Sequence, residues 1–475
     1  MRKAIPLILA AILVLSLCGC DSQAVPQQPQ QAAPAEFLVG FGRMDITPTD
    51  LGAPLAGYGQ THTRLHTTVL DKLYVSAVAI TGTNGDTIIL MCVDLINSTQ
   101  HDVIRKRIEA ELGIPYDNVM LAATHTHSAW DQGVDANATL VAQYHRDAVT
   151  AVQKALEDRS PATISIGRTE IAGLNYIRHY IMNDGSYAGA NFGSFSSGIK
   201  GYAAENDESV QLIKFTRPAE DKKDIIMVNA QGHPLVTSGV ALPDMSADVV
   251  GAARQQIEYQ TKAHFIFFLG ASGDVNMGTK LPSGKRETME DYQVFGTLLA
   301  NGVIAALDTM EPANTGNVRV LHQTYMGTVN REMEDRLSDA IRIRDYYNDT
   351  DRDTGNILAR ELGFSSVYHA SGVITRSKIT EDQLPIKLGI YAFGDISFAA
   401  APYEMFAAHG MQIKDGSPYK MTFVATCANG AEGYLPTEYA FQFGCYESHT
   451  SRFTGDTGTK CAETFISMME TMKSE

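Results

Sequence analysis

The 475-residue sequence has no CxxC pair, a single tryptophan, no run of Lys and Arg longer than three residues and no internal repeat. Without CxxC pairs the common thiolate zinc frameworks are excluded. With 38 Lys and Arg against 54 Asp and Glu the net charge is -16, and the clustered basic face that nucleic-acid binding needs is missing. That acidity favours solubility and repels anionic surfaces. Beyond residue 20 no segment approaches the ~20 apolar residues required to cross a bilayer. The lack of a fixed period excludes a solenoid. What remains is an ordinary globular composition, 44% hydrophobic and 19% charged. The length suits two or three domains, or one large α/β unit.

The first residues differ from the rest. Arg2 and Lys3 precede the apolar run AIPLILAAILVLSL, which ends in LCGC. A basic start, a short apolar core and small residues before a cleavage point read as an export signal over residues 1–19. LCGC also resembles a lipobox, which implies cleavage before Cys20 and diacylation of that cysteine. The alternative is an uncleaved anchor helix, for which the run is short. Acyl chains on Cys20 would hold the protein on the outside of a bacterial cell membrane without spanning it. Residues 20–36, rich in Gln, Pro and Ala, read as a disordered tether, and the folded domain is expected over 37–475. Cys92, inside TIILMCVDL, reads as a buried thiol. Export leads to an oxidising space, so Cys427, Cys445 and Cys461 could include one disulfide.

Apolar β-rich runs alternate with amphipathic helical runs along the domain. KLYVSAVAITG and DTIILMCVDL flank TNG, a hairpin signal. STQHDVIRKRIEAELG reads as a helix with a Ser/Thr cap that ends at Gly113. NVMLAATHTH, ATISIGRTEI, SVQLIKF, DIIMVNAQGH and AHFIFFLGASGDVN read as strands, as do the two in PIKLGIYAFGDISFAAAPYE and the one in MTFVATCANGAEGYLP. Helices are expected in LVAQYHRDAVTAVQKALED, SADVVGAARQQIEYQ and MEDYQVFGTLLANGVIAALDTM, with a charged helical stretch around Glu332–Leu362. The pattern predicts an α/β fold of mixed β-sheets layered with helices, in a single large domain. Asn183–Asp207, rich in Gly, Ser and aromatics, is long for a connection and reads as a functional loop or lid.

The apolar strands tend to finish in polar residues. One ends at His125 and His127, another at His233, a third at Asp274 and Asn276, a fourth at Glu404, and the last reaches Tyr434. In α/β sheets the binding crevice lies beyond strand ends. On a strand, residues two apart face the same side, so His125 and His127 could reach one ion or one substrate. Two histidines hydrogen-bonded at a strand end fit the same spacing. Asp94 reads either as support for a ligand histidine or as a turn cap. Asp274 reads as a residue that shapes the Gly-rich loop or supports a ligand, and Trp130 as either a pocket wall or ordinary packing.

At these positions the sequence resembles the neutral/alkaline, non-lysosomal ceramidase family. VGFGRMDITP, ATHTHS, LNYIRHY, NAQGHPL, APYEMFAAHG and NGAEGYLPTEYAFQFGCYES resemble its motifs in the same order. The resemblance implies one catalytic zinc, with ligands falling on His125, His233, Glu404 and Tyr434. It places His127 beside the reacting carbonyl with Arg178 and Tyr446. Two departures stand out. Asn276 occupies the position of the family's active-site serine, and no C-terminal immunoglobulin-like domain is expected. Asparagine cannot be that nucleophile, but its amide can donate to an oxyanion. The function implied is a zinc-dependent amidohydrolase acting on an N-acyl, sphingolipid-like substrate through a zinc-bound water. The alternatives are a zinc hydrolase of another N-acyl or ester substrate, and a non-catalytic surface lipoprotein.

Overall fold

The computed structural model describes residues 36–58, 64–189, 191–238, 242–278 and 291–474. The export signal, Cys20 and nearly all of the tether expected at the N-terminus lie outside them. Among the described residues no helix is long and apolar enough to cross a membrane.

Three larger mixed sheets share one plan. In the first, Val119–Ala123, Thr87–Val93, Tyr74–Thr81, Leu38–Asp45 and Ser160–Pro161 lie side by side in that order. The second runs His264–Leu269, Ile225–Ala230, Ser209–Thr216, Thr163–Glu170, Glu311–Ala313. The third runs Val318–Thr328, Gln383–Phe393, Ile396–Ala400, Met421–Ala425. Neighbours are antiparallel except for one edge pair in each sheet, which is parallel. A parallel pair releases both chains on the same side of the sheet. These strands are buried on both faces, which is why they read as unbroken apolar runs.

The three parallel edges meet. Asn429 N–H donates to Leu121 O at 2.8 Å, Thr426 N–H to Leu269 O at 3.0 Å and Asn229 Nδ2 to Val424 O at 3.0 Å. Beneath them one apolar core joins Leu90 and Met120 of the first sheet, Met227 and Phe268 of the second and Phe398 and Phe423 of the third. The strand ends that carry polar residues therefore open onto common ground.

Helices cover the outer faces. Ala138–Glu157 lies on Leu38–Asp45 with a buried stripe of small residues that includes Ala148, Ala151 and Ala155. Its backbone comes so close that a Cβ on Gly42 would stand 2.0 Å from Ala151 O. Asp248–Thr261 and Asp291–Leu307 pack together beside the second sheet, and Thr457–Ser474 packs on the third. Leu337–Asp349, Arg352–Glu361 and Val367–Arg376 form a helical cap with its own apolar cluster, and the last of them packs on the short helix Tyr446–Thr450.

The mixed α/β architecture agrees with the sequence pattern; several local expectations do not hold. Asn183–Asp207 is not a loop throughout. It contributes Tyr187–Gly189 and Ile199–Tyr202 to a small sheet on either side of His179–Met182. Strands this short give little alternation to read. The first helix, His101–Leu112, starts after Gln100 with no side-chain cap, although it does end at Gly113, at φ 72°. No disulfide joins the late cysteines: Cys427, Cys445 and Cys461 are free, buried thiols in three different apolar clusters. Cys92 is also free and buried. Trp130 is a packing residue, with its Nε1 donating to Ile46 O at 3.1 Å and its ring against Tyr144. Asp94 supports no ligand histidine. Its carboxylate takes Arg254 Nη2 at 2.7 Å and the Tyr74 N–H at 2.9 Å.

Candidate active site

The first sheet delivers two histidines, though not by strand alternation. The strand stops at Ala123. His125 then turns into the left-handed region at φ 66°, an uncommon conformation for a residue with a side chain. That turn aims its buried ring inward. Nδ1 donates to Ile96 O at 2.5 Å, with Cys427 Sγ 3.6 Å away. Nε2 is left facing His127 Nε2 at 3.3 Å and Glu404 Oε2 at 3.5 Å. His127 is half-buried, with Nδ1 against Gly57 O at 3.2 Å. Gly57 sits at φ 110°, and a Cβ there would stand 2.5 Å from His127 Nδ1.

The second sheet supplies His233, one turn beyond Ile225–Ala230. Its Nδ1 faces Val275 O at 2.9 Å and its Nε2 faces Glu404 Oε2 at 2.8 Å. Burial and the nearby Arg178 cation push its pKa down to about 4, so the imidazole is neutral at pH 7. The third sheet supplies Glu404, whose backbone pairs in parallel with Tyr434. Burial alone would raise the Glu404 carboxyl, but the His125 and His233 imidazoles hold it well below the usual carboxylate range. Burial, then Glu404, push the Tyr434 phenol well above its ordinary value.

The remaining expected residues gather beside this cluster. Arg178 is buried, with Nη2 donating to Gly273 O at 2.7 Å and to Tyr434 OH at 3.5 Å. Its Nη1 reaches Asn276 Oδ1 at 3.4 Å. Asn276 lies on Val275–Met277, paired with Tyr176, and its Nδ2 donates to Tyr176 OH at 3.3 Å. Tyr446 opens its short helix with its ring 5.7 Å from that of Tyr434 and 5.4 Å from that of Tyr368. Asp274 shapes the loop as expected: its carboxylate accepts the Ala407 N–H at 2.8 Å, which ties the loop to the segment that carries Glu404. Tyr58, Tyr176, Tyr368 and Glu447 were not expected here. For Glu447 the sequence held a signal, its place next to Tyr446.

Among the described residues, two groups of side chains could hold a metal ion. The ligand atoms of His125, His127 and His233 lie within 4.8 Å of one another, and Glu404 joins them through the contacts above. Both His125 and His233 have Nδ1 fixed on a backbone carbonyl, which commits each Nε2 to a common point. Two imidazoles, a carboxylate and a nearby phenol form an N/O donor set of the kind zinc takes. The residues therefore fit a zinc-type ion. The second group, His179, Cys445 and Glu447, is fully buried. Its carboxylate is already shared by His179 Nε2 at 2.9 Å and Arg178 Nη2 at 2.5 Å, and burial pushes the Cys445 thiol up. It reads as a closed charge network.

A family model described as neutral/alkaline non-lysosomal ceramidase, N-terminal, matches residues 37–283, more than half of the sequence. The chain belongs to the neutral/alkaline non-lysosomal ceramidase family. Glu404, Tyr434 and Tyr446 lie beyond the matched residues, and the fold joins them to the rest. The neutral ceramidase of Pseudomonas aeruginosa has a similar structure, at TM-score 0.67 and 16% identity, over 92% of this chain and 75% of that one. A ceramidase complexed with C2 is similar at TM-score 0.67 and 15% identity, over the same shares of 92% and 75%. At these identities the likeness is one of fold. A search of curated proteins finds no significant match.

Proposed function

We propose that the chain is a zinc-dependent hydrolase that cleaves the amide of an N-acyl, sphingolipid-like substrate. The observation that carries this reading is the meeting of His125 Nε2, His233 Nε2 and Glu404 Oε2 within 3.5 Å contacts, at the joined ends of three sheets. Tyr434 stands beside them as the fourth donor. A zinc ion bound there would supply Lewis acidity and bring the pKa of its water toward ~7.

The chain's own groups have definite tasks in this scheme. His233, neutral at pH 7, keeps a lone pair for the ion. Glu404 offsets the ion's charge, and its pairing with Tyr434 fixes the phenol. His127, with Nδ1 against Gly57 O and Nε2 3.3 Å from His125 Nε2, helps to place and polarise the substrate carbonyl. Arg178 Nη1 and the Asn276 amide stand where they can donate to the substrate carbonyl as charge develops on its oxygen. One such donor is worth ~3–4 kcal/mol. Tyr446 lines the facing wall. An acylated Cys20 would keep this site close to a lipid surface.

A second reading, a hydrolase of a different N-acyl or ester substrate, is favoured by the polar neighbours of the site. Tyr58 OH bonds Ser238 Oγ at 2.9 Å beside His127, and Tyr176 holds Asn276. A panel of N-acyl sphingoid bases, N-acyl amino acids and acyl esters decides between them. The expected result is hydrolysis of an N-acyl sphingoid base that EDTA abolishes and zinc restores. Hydrolysis confined to another class would favour the second reading. Zinc uptake with no turnover of any substrate would point to a binding protein.

A further inference from the structure

Arg178 and His179 are neighbours in the chain, yet both reach one carboxylate. Arg178 Nη2 meets Glu447 Oε1 at 2.5 Å, and His179 Nε2 meets Glu447 Oε2 at 2.9 Å. Glu447 is completely buried. An isolated buried carboxylate is costly; here Oε2 is hydrogen-bonded to His179 and Oε1 is offset by the charge of Arg178. The His179 ring is itself boxed in by Phe192, Phe406 and Phe443, with centroids 5.5, 5.6 and 5.9 Å away. The same nitrogen, Nη2, donates to Gly273 O and reaches Tyr434 OH, while Nη1 reaches Asn276 Oδ1. Nη1 is held loosely, at 3.4 Å from Asn276 Oδ1, and keeps donor capacity for a substrate oxygen.

We propose that Glu447 is the positioning residue of this site: braced by His179, it holds the Arg178 guanidinium at the angle from which Nη1 meets the carbonyl oxygen. The proposal rests on the hydrolase reading above. Glu447 touches no substrate and acts through Arg178. Two consequences follow. Its loss should matter only while Arg178 is present, because residues that act as a unit are not additive. A shorter acid should not substitute, since it keeps the charge and loses the reach to Arg178 and His179 together.

The test is a double-mutant cycle on the full, zinc-loaded chain with Glu447→Gln, Arg178→Met and the double variant, alongside Glu447→Asp. Zinc content and thermal unfolding are followed for each. Glu447→Gln is expected to lower kcat/KM by about 10–100-fold, chiefly in kcat, with zinc retained. In the Arg178→Met background the same change should cost less than about threefold, and Glu447→Asp should be impaired like Glu447→Gln. Equal losses in both backgrounds would overturn the proposal, as would near-wild-type kcat in Glu447→Asp, which would make the role one of charge balance. If Glu447→Gln fails to fold, Arg178→Met and the double variant still decide, because any difference between them beyond about threefold contradicts the proposal. The same cycle is measured calorimetrically with octanoate, whose carboxylate presents a charged oxygen to Arg178. A wild-type chain that turns over no N-acyl substrate would sink the hydrolase reading alone. The octanoate cycle would then decide for Glu447: additive effects on affinity reject the proposal, and non-additive effects support it.

Discussion

The Glu404→Gln protein is expected to fold, to purify without zinc and to lose about 4 kcal/mol of transition-state stabilisation, or ~10³-fold in turnover. The substitution keeps the size of the side chain and removes its charge. In the native site that carboxylate stands 2.8 Å from His233 Nε2 and 3.5 Å from His125 Nε2. Both imidazoles share this anion. An amide there offers a neutral oxygen, a poor ligand for zinc, and leaves two imidazoles and the Tyr434 phenol to hold the ion. Folding itself should survive, because an uncharged amide is cheaper to bury than a carboxylate. Zinc linkage provides the check. Zinc at about a thousand times its dissociation constant stabilises a binding chain by ~4 kcal/mol, so it should raise the melting temperature of the wild type and leave that of Glu404→Gln unmoved. Equal zinc-induced shifts in both proteins would remove Glu404 from the site.

The second large effect is expected at Asn276. Asn276→Ala should reduce turnover by about 10²–10³-fold while zinc per chain stays at the wild-type level. The side chain contacts none of the three close ligand atoms. It bonds Arg178 and Tyr176, and its backbone forms a bridge with His233. In this position the amide can act on the developing oxyanion without holding the ion. Retained zinc with lost turnover separates that role from metal binding. Unchanged turnover would take Asn276 out of the mechanism and leave Arg178 as the donor on that side.

Much of this arrangement was legible in the chain because apolar runs and their polar ends are local signals. TIILMCV, IIMVNA and HFIFFL could hardly be anything but buried strands. The residues that close them, among them His233, Asn276 and Glu404, mark where a crevice opens. Residues far apart in sequence and joined only by the fold gave no such signal. No spacing shows that the parallel edges of three sheets meet, or that Glu447 reaches back to Arg178 and His179. The two histidines of ATHTH illustrate a correct grouping with a different cause. Alternation along a strand is not what brings them together, because the strand has ended and the left-handed turn at His125 sets the ring. The short strands within Asn183–Asp207 failed to register for lack of length, and Val318–Thr328 for its mixed, half-exposed face. The expectation of export raised that of a disulfide, yet cysteine count says nothing about separation in the fold.

X-ray absorption at the zinc edge, on the zinc-loaded full chain with metal content measured in parallel, tests the central claim most directly. The account predicts one zinc per chain with nitrogen and oxygen neighbours at ~2.0–2.1 Å, scattering from two imidazoles, and no sulfur. A chain that retains no zinc would contradict it. So would a sulfur neighbour at ~2.3 Å, which would place the ion among His179, Cys445 and Glu447 instead.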